Sequence, residues 1–185
     1  MNTNERKGDP YSCRFVKFVD NLPLSLEPMN FRIGHGYDIH RLQSGGKLTL
    51  GGVVVSTDFS PIAHSDGDVV IHALVDALCG AIGAGDIGQH FPDSDPAHKG
   101  APSTRFLDKM MQDLGAAGFQ VVNADVTILT ERPRLGAFKA EIAANLSRLL
   151  GAPVNIKAGT NEGCDAIGRG EAIAAHAVVL LAKRA

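Results

Sequence analysis

The sequence predicts an α+β fold in which about three helices pack on one face of a mixed β-sheet. Two observations lead there. Strand and helix signals alternate along the chain without an internal repeat, and three segments carry apolar residues at helical spacing while the segments between them read as strands. A length of 185 residues fits one domain able to bury roughly two-thirds of the surface its unfolded form exposes.

Residues 1–28 read as a loose extension, punctuated by Asn, Pro and Ser, with four basic side chains against four acidic ones and poor periodicity. Residues 29–185 form the expected domain, and Met29, just ahead of Phe31-Arg32-Ile33, is in place for an internal translation start. Phe31 to His40 and Lys47 to Val55 read as strands, the second preceded by the turn signal Ser44-Gly45-Gly46. Val69, Val70, Ala73, Leu74, Ala77, Leu78, Ala81 and Ile82 repeat with a period near that of a helix, giving one over Asp68 to Ile82. A Gly- and Asp-rich loop follows through Asp95. Ser103 is a candidate cap for a second helix with Phe106, Leu107, Met110, Met111 and Leu114 on its apolar side. Val121 to Thr130 is a strand, and Leu135 to Leu150 is a helix stopped by Gly151. Val154 to Lys157 and Ala172 to Lys183 complete the strands.

Composition excludes several classes. A formal charge of -2 without a block of like charges argues against nonspecific binding to nucleic acid or an acidic membrane. Three cysteines, Cys13, Cys79 and Cys164, are too few and too far apart for a disulfide framework or a thiolate metal site, which fits a reducing cytoplasm. No apolar run approaches the length of a membrane span, so a soluble cytoplasmic protein is expected.

The chemistry concentrates in a few segments. Asp38 and His40 stand at i and i+2, so on a strand both leave the same face while Ile39 leaves the other. His72 arrives from the first helix. Two imidazoles and a carboxylate make a three-ligand zinc site with one tetrahedral position open, as catalysis requires. Asp68, His72 and Asp76 share a helix face, so Asp68 or Asp76 is expected to orient His72, while Asp66 and Asp68 are also placed to complement the helix dipole. The loop Asp86-Ile87-Gly88-Gln89-His90-Phe91-Pro92-Asp93-Ser94-Asp95 repels phosphate but suits sugar or polyol hydroxyls. Thr130-Glu131-Arg132-Pro133-Arg134-Leu135-Gly136 joins a strand end to a helix start, where N–H groups and two Arg can receive phosphate. Lys157-Ala158-Gly159-Thr160-Asn161-Glu162 mixes small residues, a hydroxyl and a carboxylate suited to a diphosphate with its divalent ion. Gly168-Arg169-Gly170-Glu171 is a tight turn whose Arg and Glu can pair, and it does not have the dinucleotide glycine pattern. His176 reads as a satisfied or interface histidine; His35, His90 and His98 do not have the spacing of zinc ligands.

Gly34-His35-Gly36-Tyr37-Asp38-Ile39-His40, Ala63-His64-Ser65-Asp66-Gly67-Asp68 with His72, Gly85-Asp86-Ile87-Gly88, Phe91-Pro92-Asp93-Ser94-Asp95 and Gly168-Arg169-Gly170-Glu171 occur in the order and spacing of one family. From about Phe31 to the C-terminus the chain resembles the 2-C-methyl-D-erythritol 2,4-cyclodiphosphate synthases of the non-mevalonate isoprenoid pathway. The resemblance implies a homotrimer with active sites between subunits, converting 4-diphosphocytidyl-2-C-methyl-D-erythritol 2-phosphate to the cyclic diphosphate and CMP. It implies zinc, or another divalent ion, at Asp38, His40 and His72, and Mg²⁺ or Mn²⁺ at Glu162 bridging the diphosphate. It makes His64 and Thr160 the catalytic residues that steady the transition state, and sets Ser65 beside the 2-phosphate.

Substrate contacts implied by similarity extend over Asp38, Ile39 and His40; the erythritol loop of Asp86, Ile87, Gly88, Phe91, Pro92, Asp93, Ser94 and Asp95; and the cytidine and diphosphate pocket of Thr130, Glu131, Arg132, Pro133, Arg134, Leu135, Gly136, Gly159, Thr160, Asn161 and Glu162. Arg134 stands where the family commonly has Lys, which keeps the charge and changes its geometry. Ala166 replaces an aromatic residue lining a threefold-axis cavity near Arg169, so an isoprenoid diphosphate is expected to bind weakly there. A zinc-dependent phosphohydrolase, which would release inorganic phosphate, and a noncatalytic trimeric binding module are the alternatives.

Overall fold

Two glycines decide how the first helix meets the first strand. A Cβ at Gly34 would lie 1.8 Å from the carbonyl oxygen of Ala77, and one at Gly36 would lie 2.0 Å from that of Ala73. Any side chain there would force the helix away, so the Gly-x-Gly spacing puts helix backbone directly against strand backbone. The computed structural model describes residues 30–92 and 94–184. The extension expected over 1–28, and Asp93, lie outside the described residues.

Strand β1 runs over Phe31–Ser44, followed by β2 (Leu48–Leu50), β3 (Val53–Ser56) and β4 (Phe59–Pro61). Helix α1 (Val69–Ile82), the short α2 (Ile87–His90) and a 3-10 turn (Pro96–His98) precede α3 (Thr104–Ala116). Then come β5 (Phe119–Leu129), α4 (Lys139–Leu150), β6 (Val154–Gly159), the short α5 (Asp165–Gly168) and β7 (Ala172–Lys183). One five-stranded sheet has the order β4-β1-β7-β5-β6, and β2-β3 forms a separate hairpin. The β5–β6 pair is parallel and the rest antiparallel, so the sheet is mixed as expected. No helix among the described residues is long and apolar enough to cross a membrane.

The inner face of the sheet supplies Val126, Ile128, Ile173, Ala175, Ala177, Val179 and Leu181 to one core with Leu74 and Leu78 of α1, Leu107 and Met110 of α3, and Ile142 and Leu146 of α4. The alternate residues of β1 and β7 face outward, leaving Ile33, Tyr37, Ile39 and Val178 exposed. Pairing across the sheet aligns Asp38 with Ala175 and Ala175 with Ile128. The C-terminal ends of β1 and β5 thus share one end of the sheet, about 10 Å apart with β7 between them.

Several elements differ from expectation. The strand expected over Lys47 to Val55 is broken into a hairpin, because Gly51 and Gly52 adopt φ of 57° and 78°. A Gly-Gly pair accepts two consecutive positive φ values, which is what a tight hairpin turn demands. Helix α4 starts at Lys139 instead of Leu135, so Thr130–Gly136 is a loop and not a helix start. Residues 135–138 form a turn with Phe138 N–H on the Leu135 carbonyl at 3.0 Å; Phe138 provides no side-chain cap and Gly136 is a poor helix former. Ser103 precedes α3 but makes no capping bond.

Asp68 is the tie among these elements. Its fully buried carboxylate caps α1 through Val70 and Ile71 N–H and also accepts from Gly51 N–H at 2.9 Å and Gly52 N–H at 2.7 Å. Burial pushes this carboxyl up to about 6, against the pull of the Gly52, Gly51 and Ile71 donors. The hairpin turn and the helix start are thereby held by one side chain. Gly36→Ala is expected to lower stability by about 3 kcal/mol, because helix backbone must move to admit the methyl group. Denaturant titration by circular dichroism checks it, and stability equal to the parent would contradict the close-packing account.

Candidate functional site

The strand-helix contact brings Asp38 and His40 of β1 against His72 in the first turns of α1. Asp38 Oδ2 lies 2.9 Å from His40 Nδ1 and 3.0 Å from His72 Nδ1. One ligand atom from each residue falls within 4.8 Å of the others, a grouping that can hold a metal ion. His40 Nδ1 is buried and finds no hydrogen-bond partner despite its nearness to the carboxylate. A cation held between these groups satisfies such a nitrogen, and a set of two imidazoles and one carboxylate suits zinc or a similar borderline ion. Burial alone would raise the Asp38 carboxyl, but contact with the side chains of His40 and His72 outweighs it and holds the group well below the usual carboxylate range. The centre therefore keeps its negative ligand throughout neutral and mildly acidic conditions.

The carboxylates expected to orient His72 do not reach it. Asp68 is committed to the helix cap, and Asp76 accepts from Ile87 N–H at 3.3 Å, fastening α2 to α1. His72 Nε2 instead faces Ser103 Oγ at 2.8 Å and Ser65 Oγ at 3.2 Å. Helix-face spacing pointed to the wrong partners because the actual ones come from the loop before α1 and the start of α3, and no local periodicity connects those to His72.

A cleft of about 770 Å³ opens beside the centre. Of the residues singled out in the sequence, Asp38, Ile39, His40, His64, Ser65, His72, Ile87, Gly88, Phe91 and Pro92 line it. Ala63, which opens the His64 motif, also lines it, as do Arg41, Ile62, His98 and Phe106, which carried no sequence signal of doing so. Phe106 fitted a core position in its helix, and it does pack there, stacking on Phe91 with ring centroids 4.6 Å apart. His64 Nε2 is buried without a hydrogen-bond partner. Asp86 and Asp95 do not line the cleft; they cap α2 and the 3-10 turn through Gln89 N–H at 3.0 Å and Ala97 N–H at 2.9 Å. Ser94 is likewise outside its lining.

A second, smaller hollow of about 270 Å³ lies where the loops after β5 and β6 meet. Thr130, Glu131, Pro133, Arg134, Leu135, Gly136, Gly159 and Thr160 line it together with Lys139 and Ala158. Thr130 N–H on the Gly159 carbonyl at 3.0 Å joins the two loops, and the Thr130 hydroxyl donates to the Arg132 carbonyl at 2.6 Å. Arg134 and Lys139 bring two cationic side chains to this hollow against the one carboxylate of Glu131. Asn161, Glu162, Ala166 and Arg169 line neither hollow. Glu162 accepts from the Thr160 hydroxyl at 2.7 Å, Asn161 donates to Asp165 at 2.9 Å, Arg169 and Glu171 pair through two contacts of 3.0 Å, and Ala166 packs against Ile167, Ala172 and Ala174. His176 stands 3.2 Å from His35 on the outer face of the sheet, away from the metal cluster.

Fold and site together define an α+β domain in which, among the described residues, one Asp-His-His group between β1 and α1 could hold a metal ion. Residues 31–182 match the YgbB family, and the chain belongs to it. A relative from Desulfosudis oleivorans, a 2-C-methyl-D-erythritol 2,4-cyclodiphosphate synthase, is 52% identical over 153 residues, covering 81% of this chain and 91% of its own. Among solved structures, the IspF of Plasmodium falciparum in complex with CDP superposes with a TM-score of 0.74 at 31% identity, covering 84% of this chain and 98% of the other. The bifunctional IspDF of Campylobacter jejuni gives a TM-score of 0.81 at 35% identity over 84% of this chain, which spans only 43% of that longer one.

Asp38→Asn and His72→Ala are each expected to cut bound divalent metal to about a tenth of the parent or less, since each removes one of three ligands. Elemental analysis after dialysis against zinc measures this, and undiminished metal in both variants would rule the cluster out as the binding site.

Proposed function

We propose that this chain cyclises 4-diphosphocytidyl-2-C-methyl-D-erythritol 2-phosphate to 2-C-methyl-D-erythritol 2,4-cyclodiphosphate with release of CMP, a phosphorus–oxygen lyase reaction. The observation that carries the reading is the Asp38–His40–His72 cluster opening onto a cleft, in a chain 52% identical to a synthase of that name. The substrate's 2-phosphate attacks the β-phosphorus, the new P–O bond forms as the bond to CMP breaks, and no water is consumed. Little covalent work is left to the protein, so positioning and charge neutralisation account for catalysis.

Asp38, His40 and His72 would hold zinc and Glu162 a Mg²⁺ or Mn²⁺, and such ions would supply positive charge to phosphate oxygens and so polarise their phosphorus. His64 lines the cleft, its Nε2 is buried and unpartnered, and its imidazole is suited to donate to a phosphate oxygen. Ser65 binds the 2-phosphate, and Ile87, Gly88, Phe91 and Pro92 enclose the erythritol carbons and exclude water. In the second hollow Arg134 and Lys139 meet the diphosphate while the Thr130–Gly136 and Gly159–Glu162 loops hold cytidine, and Thr160 steadies the transferring phosphate. The CDP complex of the Plasmodium relative supports a nucleotide diphosphate as part of the ligand.

The two hollows stand on opposite sides of β7, and we take a homotrimer to bring the second hollow of one subunit against the cleft of the next. The exposed apolar row Ile33, Tyr37, Ile39 and Val178 supports the outer sheet face as the contact surface. A cytoplasmic location agrees with the sparse cysteines, of which Cys79 and Cys164 are free.

Incubation with the cytidyl substrate, zinc and Mg²⁺, followed by ³¹P NMR, is expected to yield cyclic diphosphate and CMP, with a loss of at least about a thousandfold in His72→Ala. Inorganic phosphate without cyclic product would favour a zinc phosphohydrolase, and tight binding without turnover a binding module. Sedimentation velocity is expected to return three times the 19.5 kDa chain mass, and Val178→Glu to return single chains. A monomeric parent protein would overturn the trimer.

A further inference from the structure

Ser103 occupies the position before α3 at which a serine ordinarily turns its hydroxyl back onto helix N–H groups. It does not do so here. Its backbone is already helical, at φ -61° and ψ -20°, it makes no capping bond, and it is fully buried. Its hydroxyl instead reaches the metal centre, donating to Asp66 Oδ1 while its oxygen stands 2.8 Å from His72 Nε2.

A hydroxyl has one proton. With that proton on the Asp66 side, only lone pairs of Ser103 face His72, so the hydrogen between Oγ and Nε2 belongs to the imidazole. Ser65 Oγ, 3.2 Å from the same nitrogen, is compatible with accepting from it as well. A neutral imidazole protonated at Nε2 carries a bare lone pair at Nδ1. That lone pair faces Asp38 Oδ2 at 3.0 Å. Two acceptors at this distance repel unless a cation relieves them, so the chain of hydrogen bonds on one side of the ring prepares a metal ligand on the other.

We propose that Asp66 and Ser103 are positioning residues for the metal centre: together they fix His72 in the tautomer that presents Nδ1 to the ion. The proposal rests on the metal reading of Asp38, His40 and His72. Asp66 also has local bonds, its N–H to the Ala101 carbonyl at 3.1 Å and its Oδ1 accepting from Asp68 N–H at 3.3 Å, so the test must separate ring orientation from loop stability.

The full chain labelled with ¹⁵N-histidine is examined metal-free in mildly alkaline solution, then titrated with zinc alone. The parent is expected to show His72 as the Nε2–H tautomer. In Ser103→Ala that preference is lost and zinc affinity falls about 10- to 100-fold, the usual cost of removing an outer partner of a metal-binding histidine. Ser103→Thr, which keeps a hydroxyl, is expected to restore both. Asp66→Ala frees the serine proton to turn toward His72 and carries the same expectation, which covers the case of a Ser103→Ala chain that does not fold. Zinc affinity within twofold of the parent in folded Ser103→Ala, or a fall in affinity with the Nε2–H tautomer intact, overturns the proposal. A parent chain that shows the tautomer and its dependence on Ser103 but binds no zinc overturns the metal reading and leaves the relay standing.

Discussion

The contact between strand β1 and helix α1 is the constraint on which the rest depends. Gly34 and Gly36 let helix carbonyls come within a distance that no side chain allows, and one strand position further on, on the same face, stands Asp38. His72 precedes Ala73 and Ala77, whose carbonyls make that contact. The closeness of strand and helix backbones thus sets the distance from imidazole to carboxylate. A metal centre needs its ligands fixed to a fraction of an ångström, and two packed regular elements provide that better than loops do.

Three carboxylates near His72 have three different tasks. Asp38 faces its Nδ1 and is the only one of the three in the candidate metal cluster. Asp66 reaches the opposite side of the ring through the hydroxyl of Ser103. Asp68, one turn before His72 on the same helix, has no contact with the ring and joins the β2–β3 turn to the helix start. Burial and available donors divide these roles: Asp68 is surrounded by backbone N–H groups that claim both of its oxygens, whereas Asp38 meets only imidazole nitrogens.

Strand β7 divides the surface chemistry. On one side the cleft carries the histidines and aromatic walls; on the other a basic hollow forms from the β5 and β6 ends. The cleft sets Arg41 beside the metal cluster, and the second hollow carries Arg134 and Lys139. The outer sheet face exposes Ile33, Tyr37, Ile39 and Val178, an apolar row on the side away from the core.

Much of this was legible in the sequence because it depends on local period and spacing. The period-two placement of Asp38 and His40, the helical repeat around His72, the stop at Gly151 and the pairing of Arg169 with Glu171 all follow from backbone geometry acting over a few residues. The Gly51-Gly52 turn was missed: the apolar run from Lys47 to Val55 read as one strand, although a glycine pair between apolar runs is a hairpin signal. What only the tertiary structure decided involves side chains with a choice of partners. Ser103 could cap its own helix or reach His72, and Asp68 could orient an imidazole or satisfy four N–H groups; Asp86 and Asp95 could face a ligand or close their own turns. Local spacing permits each option, and the packing of α1, α3 and the β2–β3 turn around one core selects among them by bringing a stronger or more deeply buried partner within reach.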